Sequence, residues 1–144
     1  MVSDSPTEEY FAMLRQLFER TPALNFVKQS LAELAPGWAR VVLEPDDRHH
    51  NGGGFIHGGI VATVLDSAGW FACVTRSEGY WLLTAEFNVN FLDFASREPV
   101  IATGEVIKKG GDLFHTRMDA KTESGRHVAA ALATYTVLPR KFHP

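Results

Sequence analysis

One segment of the chain, Asn51–Asp66, holds glycines, a histidine and a carboxylate at a spacing that could support chemistry. Glycines follow Asn51, and His57-Gly58-Gly59 leads into a run of helical periodicity. Glycines at the start of a helix leave backbone N–H groups unobstructed, and the aligned peptide dipoles add partial positive charge there. The segment therefore suits an anion or a developing oxyanion, although the same glycines could serve only to make a tight turn.

Asp66 is the carboxylate of this segment, and its surroundings on the predicted helix are unusual. On a helical wheel it lies nearly opposite the apolar face that must be core, on a second face without lysine or arginine. Desolvation there would raise the pKa of the carboxyl group unless hydrogen bonds compensate. Asp66 could then act as a general base or a nucleophile, the alternative being an ordinary exposed helix carboxylate. The second face comprises Gly59, Ala62, Thr63, Gly69, Trp70 and Cys73.

The distance between Gly58 and Asp66 predicts that one chain cannot form a complete site. The two residues are eight positions apart, which is about 12 Å along a helix at about 1.5 Å per residue. A general base and an oxyanion donor must each lie about 3 Å from the reacting centre. Two antiparallel copies of the helix, from subunits related by a two-fold axis, could meet this condition, so we expect at least a dimer.

Several other site classes lack support in the sequence. No glycine-rich stretch continues as Gly-Lys-Ser/Thr, and neither a G-x-G-x-x-G order nor a Gly-x-Ser-x-Gly elbow occurs. The adjacent His49 and His50, with Asp46 and Asp47, do not have the spacing of a His-Glu-x-x-His zinc site. We therefore expect neither a nucleotide-cradling loop, nor a serine-hydrolase mechanism, nor a metal.

Composition and charge narrow the class of protein further. The chain of 144 residues has 45% hydrophobic and 22% charged side chains, which fits one globular domain with a real core. A formal charge of −3 argues against nucleic-acid binding. Cys73 is the single cysteine, no apolar run reaches membrane-spanning length, and residues 1–6 lack the pattern of a secretion signal. These features predict a cytoplasmic protein that does not enter a membrane.

Periodicity predicts two helices and a mainly antiparallel sheet, which is the α+β class. The economical arrangement is a sheet wrapped on one buried helix. Within the strand Thr84–Phe91, strict alternation puts Thr84 on the side opposite Ala85 and Phe87. The stretch Phe26–Leu34 could be helix or strand, and we favour a strand ending at a turn. The other predicted elements are helices over about Pro6–Glu19 and Gly58–Thr75, and strands over Trp38–Glu44, Val100–Lys108, Leu113–Lys121 and His127–Leu138.

The pattern Asn51-x5-His57-Gly58-Gly59-x6-Asp66, followed by Thr84–Phe91 and later by Gly104, Gly110 and Val128-Ala129, resembles a known family. It is similar to the hot-dog-fold acyl-CoA thioesterases of the PaaI (phenylacetate-pathway) type over about Leu31–Val137. The resemblance implies a long central helix wrapped by an antiparallel sheet, here with an N-terminal helical extension (residues 1–22) before the hot-dog domain (23–144). It also implies dimers with a continuous sheet, usually paired into tetramers, that hydrolyse an acyl-CoA thioester without metal or cofactor.

The resemblance also implies a role for each motif residue. Gly58 would donate its N–H to the thioester oxygen, and His57 would support that turn close to the thioester. Asp66 of the other subunit would activate water or attack directly. Asn51 would position substrate or water, and Thr84 would hold the water.

Other residues are candidates to bind the acyl group and the CoA portion of the substrate. Gly59 and Trp70 share the Asp66 face and are candidates to contact the substrate. Trp70 could be a core residue or could line a tunnel for the acyl group, where its bulk would favour small or aromatic acyl groups. The phosphates of CoA need cations, and the candidates are Lys108, Lys109 and Arg126, followed by Arg117 and Arg140. The family often has Arg-Gly-Arg where this chain has Lys109-Gly110-Gly111.

Two other functions fit the same features. A hot-dog hydratase or dehydratase would also act on acyl thioesters, with its catalytic groups in other motif surroundings. A dimer that binds acyl-CoA without turning it over would need none of Asp66, Asn51 and Thr84.

Overall fold

The structure is a computed structural model and describes residues 6–142. These described residues contain three α-helices: α1 (Glu8–Arg20), α2 (Pro22–Phe26) and α3 (Gly58–Val74). The strands are β1 (Gln29–Ala35), β2 (Trp38–Leu43), β3 (Tyr80–Phe91), β4 (Val100–Gly110), β5 (Leu113–Thr122) and β6 (His127–Lys141). A short 3-10 helix spans Asp47–His49.

All six strands form one antiparallel sheet in the order β1-β2-β4-β5-β6-β3. Helix α3 packs against all six of these strands through its most apolar residues, and Val64, Leu65 and Ala68 are fully buried. The predicted α+β fold, a long helix wrapped by an antiparallel sheet with an added N-terminal helix, is confirmed.

The middle of α3 lies unusually close to the sheet. A Cβ added to Gly104 of β4 would lie 2.7 Å from the nitrogen of Gly69 and would collide with the carbonyl group of Ala68. A Cβ on Gly69 itself would lie 2.5 Å from the Tyr135 hydroxyl and 2.9 Å from the sulfur of Met118. Gly69, a small residue of the Asp66 face, therefore leaves room for two side chains of the chain's own sheet.

The N-terminal region differs from its prediction at one element. Residues Pro22–Phe26 form α2, with the proline in its first turn, and β1 starts only after Lys28, whose φ is +59°. The prediction of a strand from Phe26 is therefore wrong over its first three residues, whereas the strand to Leu34 and the turn after it are confirmed. Helix α1 begins after Thr7, whose side chain accepts a hydrogen bond from the N–H of Tyr10.

Strand β3 begins four residues before its predicted start and contains an irregularity that the alternation rule missed. The register with β6 shifts between Thr84 and Glu86, so Ala85 is an extra residue. Thr84 therefore pairs with the buried Tyr135 and lies on the same, helix-facing side as Phe87. The prediction that Thr84 and Phe87 point to opposite sides is wrong, because strict alternation cannot continue through a bulge.

Helix α1 is fixed to the end of α3 that is remote from the glycine-rich loop. Leu14 and Phe18 of α1 are buried, and the Tyr10 hydroxyl donates a hydrogen bond of 2.6 Å to the carbonyl oxygen of Val74. The division into an extension (1–22) and a domain (23–144) stays a prediction. Residues 1–5, which lack a secretion-signal pattern, and residues 143–144 of the predicted domain lie outside the described residues.

Candidate active site

The loop before α3 is held together by Asn51. Its side-chain oxygen accepts hydrogen bonds from the N–H groups of Gly53 (2.9 Å) and Phe55 (3.2 Å), and its own N–H donates to the carbonyl of Phe55 (2.7 Å). Within residues 6–142, no partner bonds the side-chain NH₂ of Asn51, which is exposed. Asn51 thus shapes the loop with its oxygen and keeps its amide donors available.

His57 caps the N-terminus of α3 and decides which helical amide stays free. Its Nδ1 accepts a hydrogen bond of 2.9 Å from the N–H of Gly59, and its own N–H donates to the carbonyl of His49 at 2.8 Å. The amide of Gly59, predicted to contact substrate, is therefore committed to the cap. The N–H of Gly58 has no partner in the part of the chain that the structure describes. Gly58 offers the free donor at the positive end of the helix dipole.

An apolar groove surrounds Gly58. It has a volume of about 390 Å³ and includes Asn51, Gly58 and the aromatic rings of Phe55, Phe91 and Phe94. The three rings are 43% to 53% exposed, which is high for side chains of this size. A free N–H donor thus lies in an apolar setting, where a hydrogen bond to a developing negative charge is strongest.

Asp66 is half-buried in the middle of α3 and accepts two hydrogen bonds at one oxygen. The hydroxyls of Thr84 and Tyr135 each donate to Oδ1 at 2.9 Å. Burial raises the pKa of Asp66 above its ordinary value, and these two hydrogen bonds lower it again by a smaller amount. No residue between 6 and 142 bonds Oδ2, so Oδ2 is available to an incoming group.

Tyr135 was absent from the predicted site. The alternation of Ala131, Ala133 and Tyr135 in β6 could have placed its ring on the helix-facing side of the sheet. The sequence does not show where β6 crosses α3, and this crossing brings the Tyr135 hydroxyl to Asp66. Thr84, predicted to hold the attacking water, donates a hydrogen bond to Asp66 of the same chain, and its role toward water stays a prediction.

Asp66 and Gly58 lie on one unbroken helix and are not brought together within a chain. Helix α3 runs from Gly58 to Val74 without interruption, so the two residues are about 12 Å apart along its axis. Strand β3, which carries Thr84, forms one edge of the sheet. One chain therefore keeps Asp66 and Gly58 apart, and within residues 6–142 no strand pairs with the outer edge of β3.

Trp70 lies one helical turn after Asp66 and links α3 to β3. Its ring N–H donates a hydrogen bond of 2.9 Å to the carbonyl of Leu82, and its ring centroid lies 5.0 Å from Phe71 and 6.0 Å from Trp81. The indole is half-buried in this aromatic cluster. Its position is thus fixed by the chain itself, next to the carboxylate.

The predicted cationic residues lie at opposite ends of the sheet. Arg126 stacks on Phe94 at 4.1 Å, beside the N-terminus of α3. Lys109 donates to the carbonyl of Arg76 at 3.2 Å, near the C-terminus of α3, and the neighbouring Lys108 is exposed. The two ends of the 11-residue strand β4 are separated by roughly 33 Å, so one chain does not bring these cations together.

The two remaining candidate arginines contact other side chains of the chain. Arg117 forms an exposed ion pair of 3.0 Å with Glu105, and Arg140 lies over the ring of Trp81 at 5.9 Å.

The histidines before α3 have structural partners. Nδ1 of His49 accepts from the N–H of Asp46, and Nε2 of His50 lies 2.9 Å from the carbonyl of Ser96. Among residues 6–142, no three potential metal ligands cluster. The predicted interpretation of Cys73 as a packing residue is confirmed, since the thiol is buried and burial raises its pKa. In the same range, no helix has the length and apolarity needed to cross a bilayer.

Comparison with known proteins identifies relatives of the chain. Residues 53–129, more than half of its length, match the family model of the thioesterase superfamily. A crystal structure of a thioesterase family protein from Silicibacter pomeroyi is 34% identical, covers 90% of this chain and 98% of that one, and superposes with a TM-score of 0.84. Acyl-coenzyme A thioesterase 13 of Homo sapiens is 28% identical over 119 residues, 74% of this chain and 85% of that protein.

The fold has a further counterpart at lower sequence identity. The E. coli PaaI protein from the phenylacetic acid degradation operon superposes with a TM-score of 0.86 over 92% of this chain and 96% of that one. Its sequence is 16% identical, so this likeness concerns the fold alone.

Proposed function

Because this chain belongs to the thioesterase superfamily, we propose that it hydrolyses the thioester of an acyl-CoA to a free carboxylic acid and CoA. The predicted resemblance and the hot-dog fold are confirmed by the family match and the structural neighbours. The observation that carries the proposal is Asp66, a half-buried carboxylate bonded through Oδ1 alone and adjoining an open strand edge.

The proposed site combines Asp66 of one subunit with Gly58 of the other. The Gly58 N–H stabilises the negative charge on the thioester oxygen as the carbonyl carbon is attacked. Acting as a base, Asp66 takes a proton from water through Oδ2 while the water oxygen forms the new bond to carbon. The carbon–sulfur bond then breaks, and the proton passes to the departing sulfur. Acting as a nucleophile, Asp66 would instead attack the carbonyl carbon and expel the CoA thiolate, which leaves a mixed anhydride that water hydrolyses to the free acid and the Asp66 carboxylate.

The proposed dimer joins two β3 edges into a continuous sheet and runs the two α3 helices antiparallel. The open edge of β3 and the exposed rings near Gly58 support it, since such edges and apolar patches are normally covered. A dimer of dimers and a cytoplasmic location remain predictions that accompany this proposal.

The remaining predicted residues have subsidiary roles in this proposal. Asn51 directs its free amide donors to the substrate or the water, and His57 holds the turn that exposes Gly58. Thr84 donates a hydrogen bond to Oδ1 of Asp66, and its hydroxyl can also bind the attacking water and hold it in position. Trp70 limits the space for the acyl group, Gly59 keeps the helix start narrow, and Arg126, Lys108 and Lys109 offer charge to the phosphates of CoA.

The first experiment measures thiol release from a panel of acyl-CoA thioesters. Asp66→Asn keeps the size of the side chain but removes the base, so we expect kcat to fall by about 10³-fold, within the range for loss of a general base. Asp119→Asn is the matched control, because Asp119 faces away from α3 and bonds His127 at 2.8 Å. Wild-type turnover in Asp66→Asn, or tight acyl-CoA binding without any thiol release by the wild type, would refute the proposal.

The second experiment tests whether the site is shared between subunits. Asp66→Asn is mixed with Gly58→Pro, which lacks the proposed N–H donor, after reversible dissociation. Each mixed dimer then contains one site with both native residues and one site with neither. Random mixing makes half of the dimers mixed, so about a quarter of wild-type activity should return. No recovery, with mixed dimers shown by mass spectrometry, would mean that the two residues do not meet across an interface.

A further inference from the structure

A buried tyrosine of the sheet contacts Asp66 from the side opposite the open edge. Tyr135 is fully buried in β6, and its hydroxyl lies 2.9 Å from Oδ1 and 3.1 Å from the backbone carbonyl oxygen of Asp66. The hydroxyl has one proton, which these two acceptors share. Tyr135 therefore bonds both the backbone and the side chain of Asp66.

The helix leaves a space that this hydroxyl fills. Gly69, three residues after Asp66, faces Tyr135, and a Cβ there would lie 2.5 Å from the hydroxyl oxygen. Met118 of β5 fills the adjoining space, with its sulfur 2.9 Å from the same position. The tyrosine can therefore reach Asp66 only because residue 69 has no side chain.

We propose that Tyr135 is the positioning residue of the reaction: together with Thr84 it fixes Oδ1 of Asp66 and so turns Oδ2 toward the substrate. The inference rests on the proposed function, because it assigns a task to Tyr135 only if Asp66 is the reactive group. A carboxylate held by one hydrogen bond can rotate about its Cβ–Cγ bond. Two donors that converge on one oxygen from β3 and β6 restrict this rotation.

Tyr135 also influences the charge of Asp66. Burial, and then the negative charge of Asp66, raise the pKa of Tyr135, so the hydroxyl stays protonated and remains a donor. Its hydrogen bond lowers the pKa of Asp66, which burial raises. The Cys73 thiol, also buried near Asp66, stays protonated because burial raises its pKa, and Glu86 of β3 pairs with Thr134 on the outer face. Tyr135 is thus the titratable group that bonds the carboxylate directly.

The test compares wild type with Tyr135→Phe, which removes one oxygen and keeps the ring. Loss of the hydrogen bond raises the pKa of Asp66, so the acid limb of the kcat/KM profile moves to higher pH. On that limb we expect kcat/KM to fall about tenfold, the loss typical of one hydrogen bond to a charged group, with KM nearly unchanged. Titration of the Asp66 carboxyl carbon by NMR should show the same displacement without relying on turnover.

Tyr10→Phe is the matched control. The hydroxyl of the half-buried Tyr10 also bonds α3, at the carbonyl of Val74, so its loss costs stability at a distance from Asp66. We expect this variant to keep the wild-type acid limb. If the acid limb or the carboxyl titration of Tyr135→Phe coincides with wild type, the inference is overturned. An inactive Asp66→Asn would still support the proposed function in that case. Full activity of Asp66→Asn would overturn both.

Discussion

The start and the middle of α3 both rely on glycine, but for opposite reasons. In the middle, Gly69 and Gly104 allow helix and sheet to touch, and an added Cβ on either would meet atoms at 2.9 Å or less. At the start, an added Cβ on Gly58 would meet only the ring of Phe91 at 3.3 Å, and that ring is 53% exposed. The middle is thus completed by the chain's own sheet, whereas the start remains open.

The difference separates the part of α3 that stabilises the fold from the part that is free to bind. The residues around Gly69 are fully buried and tolerate no added volume. The apolar rings around Gly58 stay half-exposed, which is costly unless another molecule or subunit covers them. The two regions should therefore respond differently to the same kind of substitution.

Among the glycine substitutions, Gly58→Pro should have the largest effect, and its effect should fall on turnover. His57 has φ −59° and ψ 136°, which a following proline accepts, and proline is favoured in the first turn of a helix. The variant should fold but lack the proposed oxyanion donor, so we expect kcat to fall by about 10²-fold to 10³-fold. Thiol release and thermal unfolding of the same preparation measure the two properties.

Gly58→Ala is the control for this substitution. It adds the same contact with Phe91 but keeps the N–H, so its kcat should stay within about threefold of wild type. Equal losses in the proline and alanine variants would show that the groove rejects volume at Gly58 and would remove the N–H from the mechanism.

Gly104→Ala should show the opposite behaviour in the middle of the helix. Its Cβ meets the backbone of Ala68 and Gly69, which cannot move independently of α3, so we expect a loss of about 3 kcal/mol in the free energy of unfolding. Urea denaturation measures this loss. In Gly52→Ala the added Cβ meets no atom within 4 Å, and the change should stay within about 0.5 kcal/mol. Similar values for both variants would contradict the tight contact between β4 and α3.

Local sequence features were sufficient to predict the elements and the start of the site. The run Gly58–Thr75 is apolar on one face and follows several glycines, so both the helix and its exposed amides could be predicted. The family resemblance assigns Thr84 to the water that Asp66 activates, whereas alternation alone puts Thr84 on the wrong side of β3. The bulge at Ala85 decides this point, and no residue type at that position marks a bulge.

The remaining features depend on how distant elements meet. Tyr135 reaches Asp66 only because β6 crosses α3 at Gly69, a contact between residues more than sixty positions apart in sequence. Similarly, Pro22 suits the first turn of a helix, but a helix as short as Pro22–Phe26 is stable only through tertiary contacts such as those that bury Leu24. Such interactions become visible only after the chain is folded.

The smallest expected effect concerns the cost of keeping a charged Asp66 beside the packed middle of α3. Burial raises the pKa of Asp66 above its ordinary 3.8, so the folded state favours the neutral acid. The stability that the protonated Asp66 contributes is fully present below about pH 4. It is lost as the pH rises through the raised pKa of Asp66 in the folded state. Asparagine stays neutral at every pH, so Asp66→Asn should gain stability relative to wild type as the pH rises.

Urea denaturation of both proteins between about pH 4 and pH 8, at one protein concentration, measures this difference. Every other titratable group is common to the two proteins and cancels. Each unit by which folding raises the pKa contributes about 1.4 kcal/mol, and the hydrogen bonds from Thr84 and Tyr135 offset part of the effect of burial. A difference that shrinks as the pH rises would mean that these two donors outweigh burial, and that Asp66 is held as the anion by the folded chain.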